Sequence, residues 1–428
     1  MRFDKLQDWL QWQESCHPNE IELGLERVGN VAKAMAVSLS DCQVITVAGT
    51  NGKGSCVATL NALLLSAGYR VGCYTSPHFL RYNERVMLNG FPVDDQTLMK
   101  SFQRIDDARA ETALTYFEFG TLAALDIFER SALDVVVLEV GLGGRLDAVN
   151  IIDTDVAVVT SIDVDHQDWL GSDREQIGRE KAGIFRVGKP AISAGLNPPA
   201  SLRLAAQECG AEFYQAGQHF QYGDTRWSGT NLSQQTVEYS DLPEPRLPRE
   251  SVAAAIQAIQ LLPLPVAGTD YAILNDIQLP GRFQQINIKG KQVILDVAHN
   301  PAAASYLSRR LQSQVCRGQT FALMSVMNDK DLDGIVTALN ATIDSWFITD
   351  QPNNNRAMLA SEMAAELAQH NIESIDISKN IQQACQRVLS LMEKADRLVV
   401  FGSFFTVAEV LTLHDAQNGH HQEQHQEQ

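Results

Sequence analysis

A chain of 428 residues, 45% hydrophobic and 20% charged, is ordinary globular material and longer than one compact core usually serves, so two domains are expected. A formal charge of −18 excludes broad nucleic-acid binding, which needs basic surface, but leaves room for a locally positive pocket that takes anionic ligands. Seven scattered cysteines without a C-x-x-C pair argue against a disulfide framework or a zinc site and fit a reducing cytoplasm, and no apolar run is long enough to span a bilayer.

The opening MRFDKLQDWLQWQ carries charges every few residues and predicts an amphipathic helix with Leu6, Trp9, Leu10 and Trp12 on its apolar side, not a signal peptide. A second helix is expected over 25–37. Val44 to Val47 then reads as a buried strand running into the glycine-rich stretch GTNGKGS, followed by a helix with Val57, Leu60, Leu63 and Leu64 at three- and four-residue spacing. Further strands are expected at 71–75, 135–140, 156–161 and 191–194, with helices at 117–128 and 175–182. Residues 213–248 read as hairpins or loops ahead of a helix at 250–262. This alternation predicts a doubly wound, mostly parallel α/β sheet with a phosphate-binding (P-loop) ATPase site at its carboxyl edge.

LPGRF at 279–283 reads as a boundary. Beyond it the expected order is strand 292–297, helix 301–311, strand 320–324, helix 332–339, strand 345–349, helices 360–369 and 380–392, strand 397–401 and a last helix at 405–413. The domains are thus expected at 1–283 and, as a smaller Rossmann-like α/β domain, at 284–416, with a polar, disordered tail at 417–428.

The glycine loop departs from G-x-x-x-x-G-K-[ST]: Val47 holds the first glycine position, and Ser55 comes one residue late. Gly49, Gly52 and Gly54 still let the backbone aim amides at a phosphate, and Lys53 can reach the outer phosphates. A glycine turn with no ligand is the bland alternative, but the strand before and helix after favour a nucleotide. Magnesium wants oxygen ligands. Ser76 in YTSPH, Glu139 at the end of an apolar run and His166 in SIDVDHQDWLG are candidates at expected strand ends. Singly they read as a turn serine, a capping carboxylate and a solvated histidine; together they converge on the loop. Lys181 in GREKAGIF sits amid apolar neighbours, as a snorkelling lysine also would.

TVAGTNGKGS, TSPHFLRYNERV, LTYFEFGTLAAL, LDVVVLEVGLGGRLDAVN, TSIDVDHQDWLG, GREKAGIFR, LPGRF and LDVAHNP together resemble bacterial folylpolyglutamate synthase/dihydrofolate synthase, a branch of the ATP-dependent amide ligases related to the Mur ligases. The resemblance runs from IELGLERV at 21–28 to FGSFFTVAEV at 401–410. It implies that dihydropteroate or reduced folates are joined to L-glutamate through an acyl phosphate, with ATP giving ADP and phosphate. It implies two magnesium sites, with a monovalent cation as an optional addition: the first ion on Ser76 and Glu139, the second on His166, with Lys181 carbamylated to face the metal. Thr50, Asn51, Gly52, Lys53, Gly54 and Ser55 would hold the nucleotide with Ser251, Arg282 and Asp296. The pteroate pocket would be lined by Glu22, Leu23, Gly24 and Leu25, by Thr115, Tyr116, Phe117 and Glu118, and by Leu146, Asp147 and Ala148, with Phe119 as core. His299 and Ser403 would seat the incoming glutamate, and closure of the two domains is expected to assemble the site.

Three departures from the family pattern stand out: Ser251 where asparagine is usual, Asn328 in NDKD where histidine is frequent, and Phe405 in place of His or Tyr. The first puts the adenine contact in doubt, since a hydroxyl lacks an amide's donor–acceptor pair. Competing readings are a monofunctional folylpolyglutamate synthase, a non-ligating nucleotide switch and a Mur enzyme acting on a sugar-peptide. The last normally carries a further N-terminal domain, for which the loop comes too early. With no coiled coil or exposed apolar stripe, a monomer is expected, with no nucleic-acid or membrane partner.

Overall fold

The apolar run Val135 to Leu138, between Asp134 and Glu139, becomes a central strand because its side chains shun water: all four are wholly buried. The chain is described by a computed structural model in all residues but Ala267, Glu373, Glu427 and Gln428, with side-chain surroundings given through residue 416. It divides into two units, Met1–Ile277 and Gln278–Gln428. The division falls just ahead of LPGRF because that stretch bonds into the second unit: the Val297 amide donates to Gly281 O at 2.8 Å and the Phe283 amide to Asp296 Oδ2 at 2.8 Å.

The first unit is built on eight strands: β1 Gln43–Ala48, β2 Val71–Tyr74, β3 Val86–Leu88, β4 Phe91–Pro92, β5 Val135–Glu139, β6 Val156–Val159, β7 Pro190–Ser193 and β8 Glu212–Gln215. Their order is β4-β3-β2-β5-β1-β6-β7-β8. β2 through β8 in that order run parallel, and β3 and β4 add an antiparallel edge. Register levels the carboxyl ends of the centre: Val47 of β1 stands opposite both Glu139 of β5 and Val158 of β6. The helix Lys53–Ser66 lies on this sheet and buries Cys56, Val57, Leu60, Leu63 and Leu64.

β8 corrects the expectation of hairpins from 213 onward. Its four residues are too few to show a period, yet Tyr214 and Gln215 are buried and it completes the parallel edge. The irregular stretch after it forms a small antiparallel sheet of β9 Gln221–Tyr222, β10 Trp227–Thr230 and β11 Thr236–Tyr239. Trp227 anchors it, wholly buried and donating its indole N–H to Ala253 O at 3.1 Å in the helix Arg249–Gln260.

In the second unit β12 Gln284–Ile288, β13 Lys291–Leu295, β14 Thr320–Met324, β15 Ser345–Thr349, β16 Ile375–Ser378 and β17 Arg397–Phe401 form a sheet in the order β12-β13-β17-β14-β15-β16. All neighbours are parallel except the β12–β13 hairpin. The last helix is Phe404–Gln426. The end of the expected tail, 427–428, lies outside the described residues.

The helix Tyr116–Glu129, whose first turn carries expected substrate residues, is clamped at its far end. Asp126, 1% exposed, accepts from Arg104 Nε at 3.0 Å, Arg130 Nε at 3.0 Å and Ser101 Oγ at 2.6 Å. Burial pushes its carboxyl up, but the hydrogen bonds from Arg104, Ser101 and Arg130 outweigh that and hold it below the usual range. A carboxyl held low by the fold stabilises above its unfolded pKa, about 3.9, and loses that contribution as pH falls through the folded value. Asp126→Asn is expected to lower stability at pH 7 by about 2 kcal/mol, less than for a fully enclosed pair because both arginines keep contact with water. The loss should shrink below about pH 4. Urea midpoints at several pH values check this; a gap that stays constant would show that packing, not charge, secures the helix.

Candidate active site

Beyond Ala48 the chain turns through Gly49 at φ 149° and Gly52 at φ 85°, where other residues are strained. Space is lacking too: a Cβ on Gly49 would stand 1.9 Å from Thr160 Oγ1, and one on Gly52 2.5 Å from Ser251 Oγ. The segment leaving β6 pins the loop. The Thr50 amide donates to Ser161 O at 2.7 Å and the Asn51 amide to Ser161 Oγ at 2.9 Å. The Thr160 hydroxyl donates to Asn51 O at 2.7 Å, and that of Thr50 to Asp163 O at 3.1 Å. The loop's shape is therefore fixed by its neighbours. The helix starts at Lys53, so the amides of its first turn point out of a positive helix end. Lys53 Nζ reaches back to Gly49 O at 3.0 Å, laying its ammonium across the loop.

Glu139 is 5% exposed, and the Ser76 amide donates to its Oε2 at 3.3 Å. A Cβ on Gly54 would stand 3.9 Å from the same oxygen, so this carboxylate lies against both the TSP segment and the loop. Ser55 is fully buried, and its hydroxyl has no hydrogen-bond partner among the described residues. Such an orphan costs about 1–3 kcal/mol, which a bound phosphate oxygen or cation would relieve. A buried carboxylate oxygen with Ser76 next to it offers the oxygen donors magnesium prefers. The next thiol, Cys56, is wholly buried and pushed far up by burial and then by Glu139.

Lys181 ends the helix Arg174–Lys181 and is 3% exposed. Burial pulls its amine down to about 7; Lys53 adds to the fall, while Asp165 and Asp147 oppose it. The two lysines and two aspartates thus share one neighbourhood. Asp147 accepts amides from Leu142 at 2.9 Å and Val149 at 3.0 Å, yet burial still lifts it to about 6. His166, at φ 52°, enters beside Asp165, whose Oδ1 accepts the His166 amide at 2.9 Å, and it precedes the short helix Gln167–Leu170.

The expected substrate segments are joined: the Gly24 amide donates to Leu146 O at 3.2 Å. Thr115 caps the helix Tyr116–Glu129 in a reciprocal box with Glu118. Tyr116 and Phe117 are half-buried; Tyr116 stands edge-on to Tyr82 at 5.6 Å, and Phe117 lies over Gly141 and 5.9 Å from Tyr74. Phe119 is core, between Trp12 and Phe102. Glu22 and Glu118, read from the sequence as ligand contacts, are both bonded to Arg27, a residue the sequence reading passed over. A cavity of about 270 Å³ opens at the ends of β6 and β7, lined by Thr160, Ser161, Asp163, Arg174 and Asn197. A larger open groove of about 650 Å³ at Tyr239, Asp241 and Tyr271 lies by the far end of the helix Lys53–Ser66, where the Asp270 amide meets Ser66 Oγ at 3.1 Å.

In the second unit Asp296 is fixed by amides of Phe283 at 2.8 Å and Ala298 at 2.9 Å. Burial raises its carboxyl while Arg282 pulls it down, so the two are neighbours. Arg282 lies 5.2 Å over the Phe404 ring, and the His299 ring is 6.4 Å from the same ring. His299 Nδ1 meets Val297 O at 2.7 Å. The Ser403 hydroxyl accepts the Thr406 amide at 3.1 Å and pairs with Thr406 Oγ1 at 2.7 Å, so it is committed to capping the last helix. Of the unusual residues, Asn328 bonds through its amide to Arg356 O at 2.9 Å, and Phe405 is 58% exposed. The Thr160–Ser161 pair that holds the loop was also missed; two hydroxyls directly after an apolar strand were its only signal.

Comparison with known proteins places this geometry. Residues 47–289 match the Mur ligase middle domain, and residues 281–404 the Mur ligase glutamate ligase domain. The dihydrofolate synthase/folylpolyglutamate synthase of Escherichia coli is 43% identical over 416 residues, 96% of each chain, and that of Haemophilus influenzae 38% over 426 residues, 94% of this chain and 96% of the other. A solved E. coli FolC with DHPP and ADP superposes at a TM-score of 0.90 with 40% identity, covering 97% of this chain and 99% of that one. The bifunctional enzyme of Yersinia pestis with AMPPNP and Mn superposes at 0.87 with 42% identity, covering 96% and 98%. Such likeness in sequence and structure, sustained from end to end, means that the chain belongs to the dihydrofolate synthase/folylpolyglutamate synthase family of Mur-type ligases.

Proposed function

We propose that this chain is a bifunctional, ATP-dependent ligase that joins L-glutamate to dihydropteroate and adds glutamates to reduced folates. The observation that carries the reading is the convergence of the pinned glycine loop, buried Glu139 and buried Lys181 at the carboxyl edge of one parallel sheet. Relatives with this fold bind DHPP with ADP, and in one case Mn, AMPPNP and L-glutamate.

A carboxylate is a poor electrophile, so ATP first converts it to an acyl phosphate; the glutamate amine attacks, and the tetrahedral intermediate expels phosphate. The first step brings two anions together and depends on positive charge more than on covalent help. Lys53 and the first-turn amides meet the phosphates, and Ser55 supplies a hydroxyl. Magnesium, held by Ser76 and Glu139 with a second ion by His166, supplies the remaining charge neutralisation when bound. A buried amine near pKa 7 is substantially uncharged at neutral pH, the form that adds carbon dioxide, which supports Lys181 as a carbamate. Tyr116 and Phe117 offer flat faces to a pterin. Arg282 and Asp296 take phosphate and ribose, His299 the incoming glutamate, and Ser403 contributes through the helix end it caps. Seven cysteines without a disulfide support a reducing, cytoplasmic setting, and we read the chain as a monomer.

ADP release measured with dihydropteroate and with tetrahydrofolate, each with L-glutamate, is expected to be positive for both; turnover with tetrahydrofolate alone would make the enzyme monofunctional, and turnover with neither would end the reading. Lys53→Ala is expected to reduce kcat/KM by at least about 100-fold, and near-normal turnover would remove the lysine from its role. Lys181→Ala should be inactive and partly restored by short carboxylates; an unmodified amine in the native mass spectrum of active enzyme would exclude the carbamate.

A further inference from the structure

The pteroate-pocket segments Glu22–Leu25 and Thr115–Glu118 are separated by about ninety residues of chain and are bridged by the Arg27 guanidinium. Arg27 Nη1 donates to Glu22 Oε1 at 2.5 Å, and Nη2 bonds to the Glu22 carbonyl. Its Nε lies 2.9 Å from Glu118 Oε1 and 3.0 Å from Oε2. Glu118 is 3% exposed and also accepts the Thr115 amide at 2.8 Å and the Thr115 hydroxyl at 3.0 Å. The run Glu22–Arg27–Glu118–Thr115 is therefore continuous, and Glu22 is further held by His17 Nε2 at 3.2 Å.

We propose that Arg27 is a positioning residue for the pteroate-type substrate, setting the gap between the Glu22–Leu25 segment and the first turn of the helix Tyr116–Glu129. The proposal rests on the reading of those segments as the pteroate pocket. Its physical basis is the guanidinium fork. One edge reads a carboxylate and a carbonyl of one wall, and Nε reads the carboxylate of the other, so their separation is fixed by one rigid plane. Lysine, a single point charge on a flexible stem, can neutralise one carboxylate but cannot hold both walls at a set distance. With both acids bound to Arg27, they shape the pocket instead of presenting free charge to the ligand. Tyr116 and Phe117 follow Thr115 directly, so a shift of the cap moves the faces that would meet the pterin. The nucleotide loop stands on other contacts, so the effect should fall on one substrate only.

The test is the KM for dihydropteroate and for ATP, with kcat, in Arg27→Gln and Arg27→Lys, alongside Phe117→Ala, which removes a half-buried flat face of the pocket. Expected is a rise of about tenfold or more in KM for dihydropteroate in both Arg27 variants, with KM for ATP within about twofold and kcat reduced by less than about threefold. A general structural lesion would move all three parameters together, and that pattern overturns the proposal. If Arg27→Gln fails to fold, Arg27→Lys decides by the same criterion. An unchanged dihydropteroate KM with Arg27 replaced but a raised one in Phe117→Ala overturns the role of Arg27 and leaves the pocket in place. Unchanged values in all variants overturn the pocket as well.

Discussion

Charge held out of water beside a glycine loop is the constraint on which this molecule is organised. Glu139 closes a strand with no other polar side chain, and Lys181 sits buried at the end of a helix. Neither is tolerable in an apolar interior alone. The level register of β5, β1 and β6 sets Glu139 at the same edge as the loop and its helix-end amides, and Lys181 meets its burial with a lowered pKa, Asp165 and Asp147 opposing the fall. The parallel sheet does not merely support the site; its alignment sets the carboxylate beside the loop.

The departure in the loop has a structural explanation. The usual motif relies on its own internal turn to hold a phosphate cradle. Here the cradle is braced from outside, by Thr160, Ser161 and Asp163 on one side and Ser251 on another. A serine at 251 fits against Gly52 with no space for a Cβ between them, so this position packs the loop in addition to any contact with a nucleotide.

What could be read from the sequence was whatever announces itself locally. The run VVVLE, the glycines before Lys53 and the strand–loop–helix order each carry their meaning within a few residues, and the parallel centre follows from them. Short β8 lacked the length to show a period. Capping is harder to read: Ser403 and Glu118 are polar residues at helix starts, where a cap and a ligand contact look alike in sequence, and the capping bonds become visible only in the fold. Arg27 was invisible for the opposite reason, because its second partner lies far along the chain and nothing nearby hints at it.

Cys56 directly follows Ser55 of the glycine loop, yet its thiol is wholly buried and held strongly protonated by burial and by Glu139. A nucleophile so close to the reaction centre is thereby made chemically silent: an electrophile in solution meets neither thiolate nor open surface. Labelling at this sulfur would time the opening of the helix start to solvent, and a cysteine adjoining the glycine loop is spared a cysteine's vulnerability to oxidation.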